Sequence, residues 1–128
     1  MSEMARAGQA TATEAAPSRD DAEAGVARMR EMAADVRGCA VLGTRGEALA
    51  ASGDRERWAQ ACAALLEAAD AAGGERASQL HVATEEGEVF AVRHRGLAMV
   101  AVSERFALAS LMLSDMRTVL REIAPGRR

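Results

Sequence analysis

The sequence has no lysine, no asparagine and no tyrosine, and it has only one tryptophan and two phenylalanines. Without lysine it cannot contain the phosphate-binding loop that ends in Lys-Ser or Lys-Thr, which excludes that class of nucleotide-binding site. Every basic residue is arginine, and the formal net charge of −3 provides no excess of positive charge for a phosphate backbone. We therefore expect no nucleic-acid partner.

Cysteine and long apolar runs are scarce as well. Cys39 and Cys62 are the only cysteines, and neither has a companion at a metal-binding spacing. Both lie in apolar runs, which favours two buried free thiols; a disulfide or a redox pair is the alternative. The longest apolar stretch, residues 96–102, is far below the ~20 residues that span a bilayer, and no signal-peptide core is present. We expect no metal, no cofactor, no membrane partner and a cytoplasmic location.

The character of the sequence changes near residue 20. Residues 1–19 are rich in Ala, Thr, Ser and Gly and show no apolar period, which is typical of a disordered tail. Residues 20–124 carry periodic apolar patterns over the length of one domain. Residues 125–128 are predicted to form a short C-terminal tail, because Pro125 and Gly126 end the last pattern.

Three stretches have the spacing of amphipathic helices, and acidic residues stand at two of their starts. Asp20 and Asp21 are placed to cap the first, and Asp54 is placed to cap the second. In the last stretch the expected apolar stripe includes Leu108 and Leu111. The predicted helices cover residues 20–38, 55–72 and 105–123.

The remaining apolar segments are short, and glycine-containing turns separate them, as in antiparallel strands. They cover residues 39–42, 48–51, 78–84, 89–93 and 97–103. The predicted fold class is α/β (α+β), a three-layer sandwich with a five-stranded antiparallel sheet in the order helix-strand-strand-helix-strand-strand-strand-helix. The first and last helices are expected on one face, and the middle helix alone on the other.

No set of residues matches a catalytic motif, so we expect no enzyme. His81 is predicted within a strand, as an interface or partly covered residue, and His94 in a turn, as a solvated residue; a metal or catalytic role is the alternative for both. The acidic pairs at residues 20–21 and 85–86 and the basic cluster at 93–95 are interpreted as solvated surface, with partner contact as the alternative. Trp58 is favoured as an interface residue over a core residue, because one helix cannot cover a five-stranded sheet alone.

The element order and three passages resemble the roadblock/dynein light chain family. The first passage is CAVLGTRGEALAAS at residues 39–52, with Gly46 at the turn of a hairpin. The second is EGEVF at residues 86–90, and the third is LAMVAV at 97–102 leading into the helix at 108–123. The resemblance covers about residues 20–124 and consists of apolar positions and glycines.

The resemblance implies a dimer in which two middle helices pack together and the following strands pair into one continuous sheet. Many family members bind Ras-like small GTPases, and a bacterial polarity member stimulates GTP hydrolysis by its partner. The expected partners are a second copy or a related roadblock protein, and a small GTPase. A profilin-like sensor of small ligands is the alternative. The interface residues that the resemblance implies are Trp58, Cys62, Leu65, Leu66, Ala69, Gln79, Leu80, His81 and Val82.

Overall fold

The structure is a computed structural model and describes residues 18–123. It confirms the predicted fold class and element order. Of the two predicted tails, only Ser18 and Arg19 fall inside the described residues. The elements are α1 (Arg19–Met32), β1 (Val36–Leu42), β2 (Ala48–Ala51), α2 (Arg55–Gly73), β3 (Gln79–Ala83), β4 (Glu88–His94), β5 (Leu97–Ser103) and α3 (Ala109–Ile123).

The five strands form one sheet in the order β2-β1-β5-β4-β3, and each neighbouring pair is antiparallel. As predicted, α1 and α3 pack together on one face of this sheet, and α2 lies on the other. The core therefore has two parts. The part beneath α1 and α3 is large and contains Met29, Phe90, Met99, Met116 and Leu120; the part beneath α2 is smaller and consists mainly of Ala40, Leu42, Cys62, Leu66, Ala91 and Val100.

Helix α1 is shorter than predicted and begins earlier. Ser18 is its N-cap, and the Ser18 Oγ accepts the backbone N–H of Asp21 at 3.0 Å. The acids expected as caps, Asp20 and Asp21, instead occupy the first turn. There their negative charges interact favourably with the positive end of the helix dipole. The helix ends at Met32 and does not reach residue 38, because Val36 already pairs with Ser103 of β5.

Helix α2 follows the prediction closely. The Asp54 Oδ1 accepts the backbone N–H groups of Glu56 and Arg57, at 2.9 and 3.3 Å. At the other end, Gly74 adopts a left-handed conformation with φ of 78°, and its N–H donates to the carbonyl of Asp70. These caps satisfy backbone groups that a helix leaves unpaired at each end, which explains why both boundaries were visible in the sequence.

Helix α3 starts at Ala109, four residues later than predicted, because Phe106 has a left-handed φ of 65° that no α-helix accommodates. This conformation costs a non-glycine residue about 1–2 kcal/mol. Two residues of the predicted apolar stripe are consequently misassigned. Leu108 precedes the helix and Leu111 is 55% exposed, while Leu113 is buried in the core.

The two edges of the sheet differ in length and regularity. Strand β2 has four residues, and its register with β1 shifts between Val41 and Leu42. Strand β3 pairs with β4 in an unbroken register, and four of its five residues are exposed. The edge formed by β3 is therefore the regular one that offers unpaired backbone groups to another strand.

Candidate functional site

The α2 side of the sheet is only partly covered. Residues that stand directly opposite each other in an antiparallel pair share a face, so Leu80, opposite the buried Ala91, belongs to the α2 side. Val82 is opposite Val89, and Val89 is opposite Val102, so these three valines lie on the same side. All are half-buried or exposed. With two residues of α2, they form what we call the open apolar surface: Trp58, Leu65, Leu80, Val82, Val89 and Val102.

Helix α2 contributes one flank to this surface. Cys62 and Leu66 are buried and face the protein's own sheet. At 100° per residue, Leu65 lies to one side of this line, on the flank that also carries the exposed Ala61 and Ala72. Ala63 and Glu67 lie on the opposite flank, where they line a cleft. The Leu65 flank is therefore apolar, rich in small residues and incompletely covered.

The edge of β3 lies beside the open apolar surface. The N–H of Arg93 donates to the carbonyl of Ser78, and the N–H of Thr84 donates to the carbonyl of Gly87, both at 2.8 Å. In an antiparallel ladder the backbone groups alternate in direction, so even-numbered residues of β3 bond to β4. The N–H and C=O groups of Gln79, His81 and Ala83 consequently point away from the sheet, toward the position of an additional strand.

The residues expected at a dimer interface thus divide into three groups. Leu65, Ala69, Leu80 and Val82 lie on or beside the open apolar surface. Gln79 and His81 lie on β3 but project to the other face of the sheet. Cys62, Leu66 and much of Trp58 are used within the protomer.

Trp58 has a defined role inside the chain. Its indole Nε1–H donates to the carbonyl of Ser52 at 2.7 Å. A Cβ placed on Gly38 would lie 3.1 Å from the Trp58 ring, so glycine permits the ring to approach β1 closely. The ring thus anchors the start of α2 to the sheet, while the half-buried remainder contributes to the open apolar surface.

On the other face of β3, His81 belongs to an aromatic and hydrogen-bonded cluster that sequence reasoning did not predict. Its ring stacks on that of Phe90, with centroids 4.4 Å apart and planes 9° from parallel. The His81 Nε2 lies 2.7 Å from the Oε1 of Glu88, whose side chain is buried. Among the described residues, no serine or cysteine side chain hydrogen-bonds His81, so the pair lacks the nucleophile of a hydrolase triad.

Glu88 also holds the loop between β5 and α3. Its Oε2 accepts the backbone N–H of Phe106 at 2.6 Å. The hydrogen bond with His81, followed by those from the backbone of Phe106 and Ala107, holds the pKa of Glu88 below its usual value, against the opposing effect of burial. One carboxylate therefore connects the edge strand to the strained residue Phe106, whose own side chain is 82% exposed.

A cleft of about 360 Å³ lies between α2 and the turns at one end of the sheet. Its floor includes Leu42, Leu66 and Ala98. On its wall, the Arg93 guanidinium binds both carboxylate oxygens of Asp70, at 2.8 and 3.1 Å. These bonds, together with the backbone N–H of Ala77, lower the pKa of Asp70 to about 2. Two of the four charged residues that line the cleft thus satisfy each other, and the other two are Glu67 and Arg76.

The remaining titratable groups show no arrangement for metal or redox chemistry within the described part of the chain. It contains no group of three or more His, Cys, Asp or Glu side chains that could hold a metal ion. Cys39 and Cys62 are buried and unpaired, as favoured, and burial raises the pKa of each thiol to about 11. His94 is the last residue of β4 and is half-buried, so the turn placement was wrong by one position; burial and two nearby arginines lower its pKa.

None of the helices in residues 18–123 is long and apolar enough to cross a membrane. No protein-family model matches the sequence, and no curated protein is significantly similar to it.

Solved structures share its architecture at low sequence identity. A roadblock/LC7 domain from Streptomyces avermitilis is 16% identical with a TM-score of 0.65, and the match covers 79% of this chain and 92% of that one. Myxococcus xanthus MglB is 12% identical with a TM-score of 0.65, covering 79% and 83%. A chain of the LokiProfilin1–rabbit actin complex is 14% identical with a TM-score of 0.59, covering 84% and 96%. The protein therefore has the roadblock/LC7 fold, which its sequence pattern had indicated.

Proposed function

We propose that this protein is a dimeric, non-enzymatic regulator or scaffold that binds a small Ras-like GTPase or a related signalling partner in the cytoplasm. The observation that carries the proposal is the open apolar surface beside the unpaired edge of β3. A second copy, or a related roadblock protein, would cover that surface. The resulting ten-stranded sheet would be the platform on which the GTPase binds.

A dimer with its two-fold axis next to β3 would both pair the free edge of β3 and cover the open apolar surface. It pairs the outward backbone groups of Gln79, His81 and Ala83 with those of the partner strand. It also brings the partner's α2 over the uncovered part of the sheet. Complete burial of an exposed large apolar side chain contributes about 1.5–3 kcal/mol. Leu65, Leu80 and Val82 would each contribute the fraction of this that matches their remaining exposure. The small Ala61 and Ala72 on the same flank leave room for a second helix.

The GTPase part of the proposal comes from the family resemblance, in which many members bind Ras-like proteins, and from the roadblock/LC7 fold shared with MglB. The chain's own chemistry is consistent with a protein partner. Within the described residues its only buried charged side chain, Glu88, is engaged in holding the backbone.

Sedimentation of a charged variant tests the dimer. Leu65→Asp places a carboxylate on the proposed contact, whereas Gln60→Asp places the same charge on the opposite, exposed flank of α2. Because Leu65 is only half-buried in the protomer, the aspartate can remain in contact with water there, and the variant should stay folded. In the dimer its charge would be buried, so the variant should be monomeric at tens of micromolar. The Gln60→Asp control should remain dimeric. A monomeric wild type, or a dimeric Leu65→Asp variant, would contradict the interface.

The partner is tested with purified Ras-like GTPases from the same genome, each loaded with GDP or with a non-hydrolysable GTP analogue. We expect one of them to bind in a nucleotide-dependent manner and to lose binding with Leu65→Asp. The chain alone should not hydrolyse GTP. If no GTPase of the panel binds while the wild type is dimeric, the GTPase assignment is wrong and the dimer stands.

The alternative of a profilin-like ligand sensor has one feature in its favour, the cleft beside α2, whose volume is within the range of small-molecule sites. However, Asp70 and Arg93 bind each other there, so of the charged residues that line the cleft only Glu67 and Arg76 are left to orient a ligand. The sensor would be favoured if a compound from a metabolite library raises the melting temperature of the wild type but not that of an Ala63→Trp variant, in which the tryptophan fills the cleft.

A further inference from the structure

Most of the exposed large apolar side chains of the described residues lie where α1 ends and α3 begins. Apart from Val82, all of them lie at the ends of α1 and α3. We call this group the apolar end: Met32, Phe106, Leu108 and Leu111. Contiguous exposed apolar residues of this kind mark interaction sites in soluble proteins.

The sheet explains how the ends of the two helices come together. Val36, four residues after α1, stands opposite Ser103 in the antiparallel pair of β1 and β5, and α3 begins six residues after Ser103, so α1 ends and α3 begins at the same end of the sheet. The C-terminal end of α1, with Met32, therefore lies beside the N-terminal end of α3. This helix layer and the open apolar surface lie on opposite faces of the sheet, so the apolar end is not part of the open apolar surface.

Phe106 is the most exposed member of the apolar end, and contacts within the chain fix its backbone conformation. Its left-handed backbone conformation is unfavourable for a residue with a side chain. It persists because the buried Glu88 carboxylate accepts its N–H. The Arg105 guanidinium covers one face of the ring at 4.6 Å from its centroid and leaves the ring otherwise in solvent. Such a strained, supported and exposed aromatic residue is typical of a docking anchor.

The charges around the apolar end indicate what it binds. Glu31 precedes Met32, the carbonyl of Asp35 accepts the N–H of Glu104, and Asp115 follows Leu111 by one turn. None of the carboxylates of Glu31, Asp35 and Asp115 forms a salt bridge to another described residue. Glu104 is already paired with Arg37. Arg30, in the last turn of α1, and Arg105 are the cations here that form no salt bridge to another described residue. Three such carboxylates against two such cations leave the rim net acidic.

We propose that the apolar end is a docking surface for a basic amphipathic helix of a partner protein, separate from the dimer and GTPase surfaces. The partner's apolar stripe would contact Phe106, Leu108 and Leu111, and its Arg or Lys side chains would meet the three carboxylates. A second copy fits less well, because two like-charged rims would face each other. The inference does not depend on the proposed function.

Three synthetic peptides of about 18 residues test this surface by isothermal titration. The first is helical with Leu on one face and Lys on the other. The second replaces every Lys by Glu, and the third keeps Lys and replaces Leu by Ser. The first peptide should bind one per protomer, with an affinity that falls as salt increases. The other two should bind more weakly by roughly tenfold or more.

Two protein variants locate the binding. Phe106→Asn removes the ring with a residue type that tolerates a positive φ, so the loop backbone and its bond to Glu88 are kept. Leu111→Ser changes a residue that is already exposed, so folding is not at risk. Each should weaken binding of the Leu-Lys peptide roughly tenfold. Asp115→Asn should weaken it less and reduce its salt dependence. Glu23→Gln, more than two turns from Met32 on α1, is the matched control and should bind like the wild type.

Several results would overturn the proposal. These are no binding of the Leu-Lys peptide at roughly 1 mM, equal binding of the Leu-Glu peptide, or unchanged binding by both Phe106→Asn and Leu111→Ser. Sedimentation showing that the wild type forms assemblies larger than a dimer, which Leu111→Ser abolishes, would identify a second copy as the occupant. Loss of peptide binding in the monomeric Leu65→Asp variant would place the peptide on the dimer surface.

Discussion

The Oε2 of Glu88 lies 2.6 Å from the backbone nitrogen of Phe106, eighteen residues further along the chain. This contact joins the beginning of β4 to the loop before α3. On its other oxygen the same carboxylate contacts His81 of the edge strand. A single buried side chain thus determines the conformation of a loop that carries an exposed aromatic residue.

Replacing Glu88 should loosen that loop. In Glu88→Ala the N–H of Phe106 loses its acceptor, and the strained backbone loses the contact that stabilises it. We expect hydrogen exchange at the amides of Phe106 and Ala107 to become roughly tenfold faster or more. Glu88→Gln keeps an acceptor oxygen at the same position and should show a smaller change. Equal exchange in all three proteins would show that the loop holds its conformation without Glu88.

The outward N–H of Ala83 provides a test of strand pairing that is independent of α2. Ala83→Pro removes this donor but no hydrogen bond to β4, because the neighbouring even-numbered residues bond inward. We expect the dimer dissociation constant to rise by roughly tenfold, since one or two interstrand bonds are lost. Ala83→Ser retains the N–H and serves as control. Analytical ultracentrifugation that finds equal association for both variants would place the dimer contact elsewhere.

The two thiols should be unreactive in the native protein. Burial raises the pKa of Cys39 and Cys62 to about 11, so little of the reactive thiolate exists near pH 8. Ellman's reagent should titrate neither thiol within minutes in native buffer and both in denaturant. Rapid native reaction of Cys62 would mean that α2 opens away from its sheet much more readily than its packing implies.

The Asp70–Arg93 pair predicts a particular response to acid. The pKa of Asp70 is lowered to about 2 in the folded protein, against about 3.9 for an unperturbed aspartate. The pair therefore contributes its full stability above about pH 4 and loses that contribution as pH falls toward about 2, because the unfolded state takes up the proton first. Urea denaturation should show Asp70→Asn less stable than wild type at neutral pH, with the difference narrowing across this window. Glu67 is an exposed acid of the same cleft and serves as control. The difference in stability between Glu67→Gln and the wild type should not narrow as the pH falls from about 4 to about 2.

Much of the fold was predictable because several elements carry their boundaries in nearby residues. Asp54 and Gly74 cap α2, and the residues between them have one helical period, so all the information lies within the helix. Gly46 and the Arg95–Gly96 pair adopt the positive φ angles that their hairpin turns require. The element order then limits the topology, since short turns place consecutive strands side by side.

The errors have a different origin, namely contacts between residues far apart in sequence. Nothing near Phe106 indicates that Glu88 will accept its N–H, so the apolar spacing of residues 105–123 was extended through a loop. The early end of α1 likewise depends on pairing between Val36 and Ser103. For the candidate site, the resemblance implies residues of α2 and β3, but the sequence does not distinguish Cys62, which is buried against its own sheet, from Leu65, which is only partly covered.

The inequality of the two sheet edges limits how far association can proceed. A strand added to β3 consumes the one long regular edge of each chain, and what remains outside is β2, with four residues and an interrupted register. Short, irregular edges are poor templates for further strands. Growth of the sheet by this route would thus stop after one event, so a pair joined through β3 would not extend into fibres at high concentration.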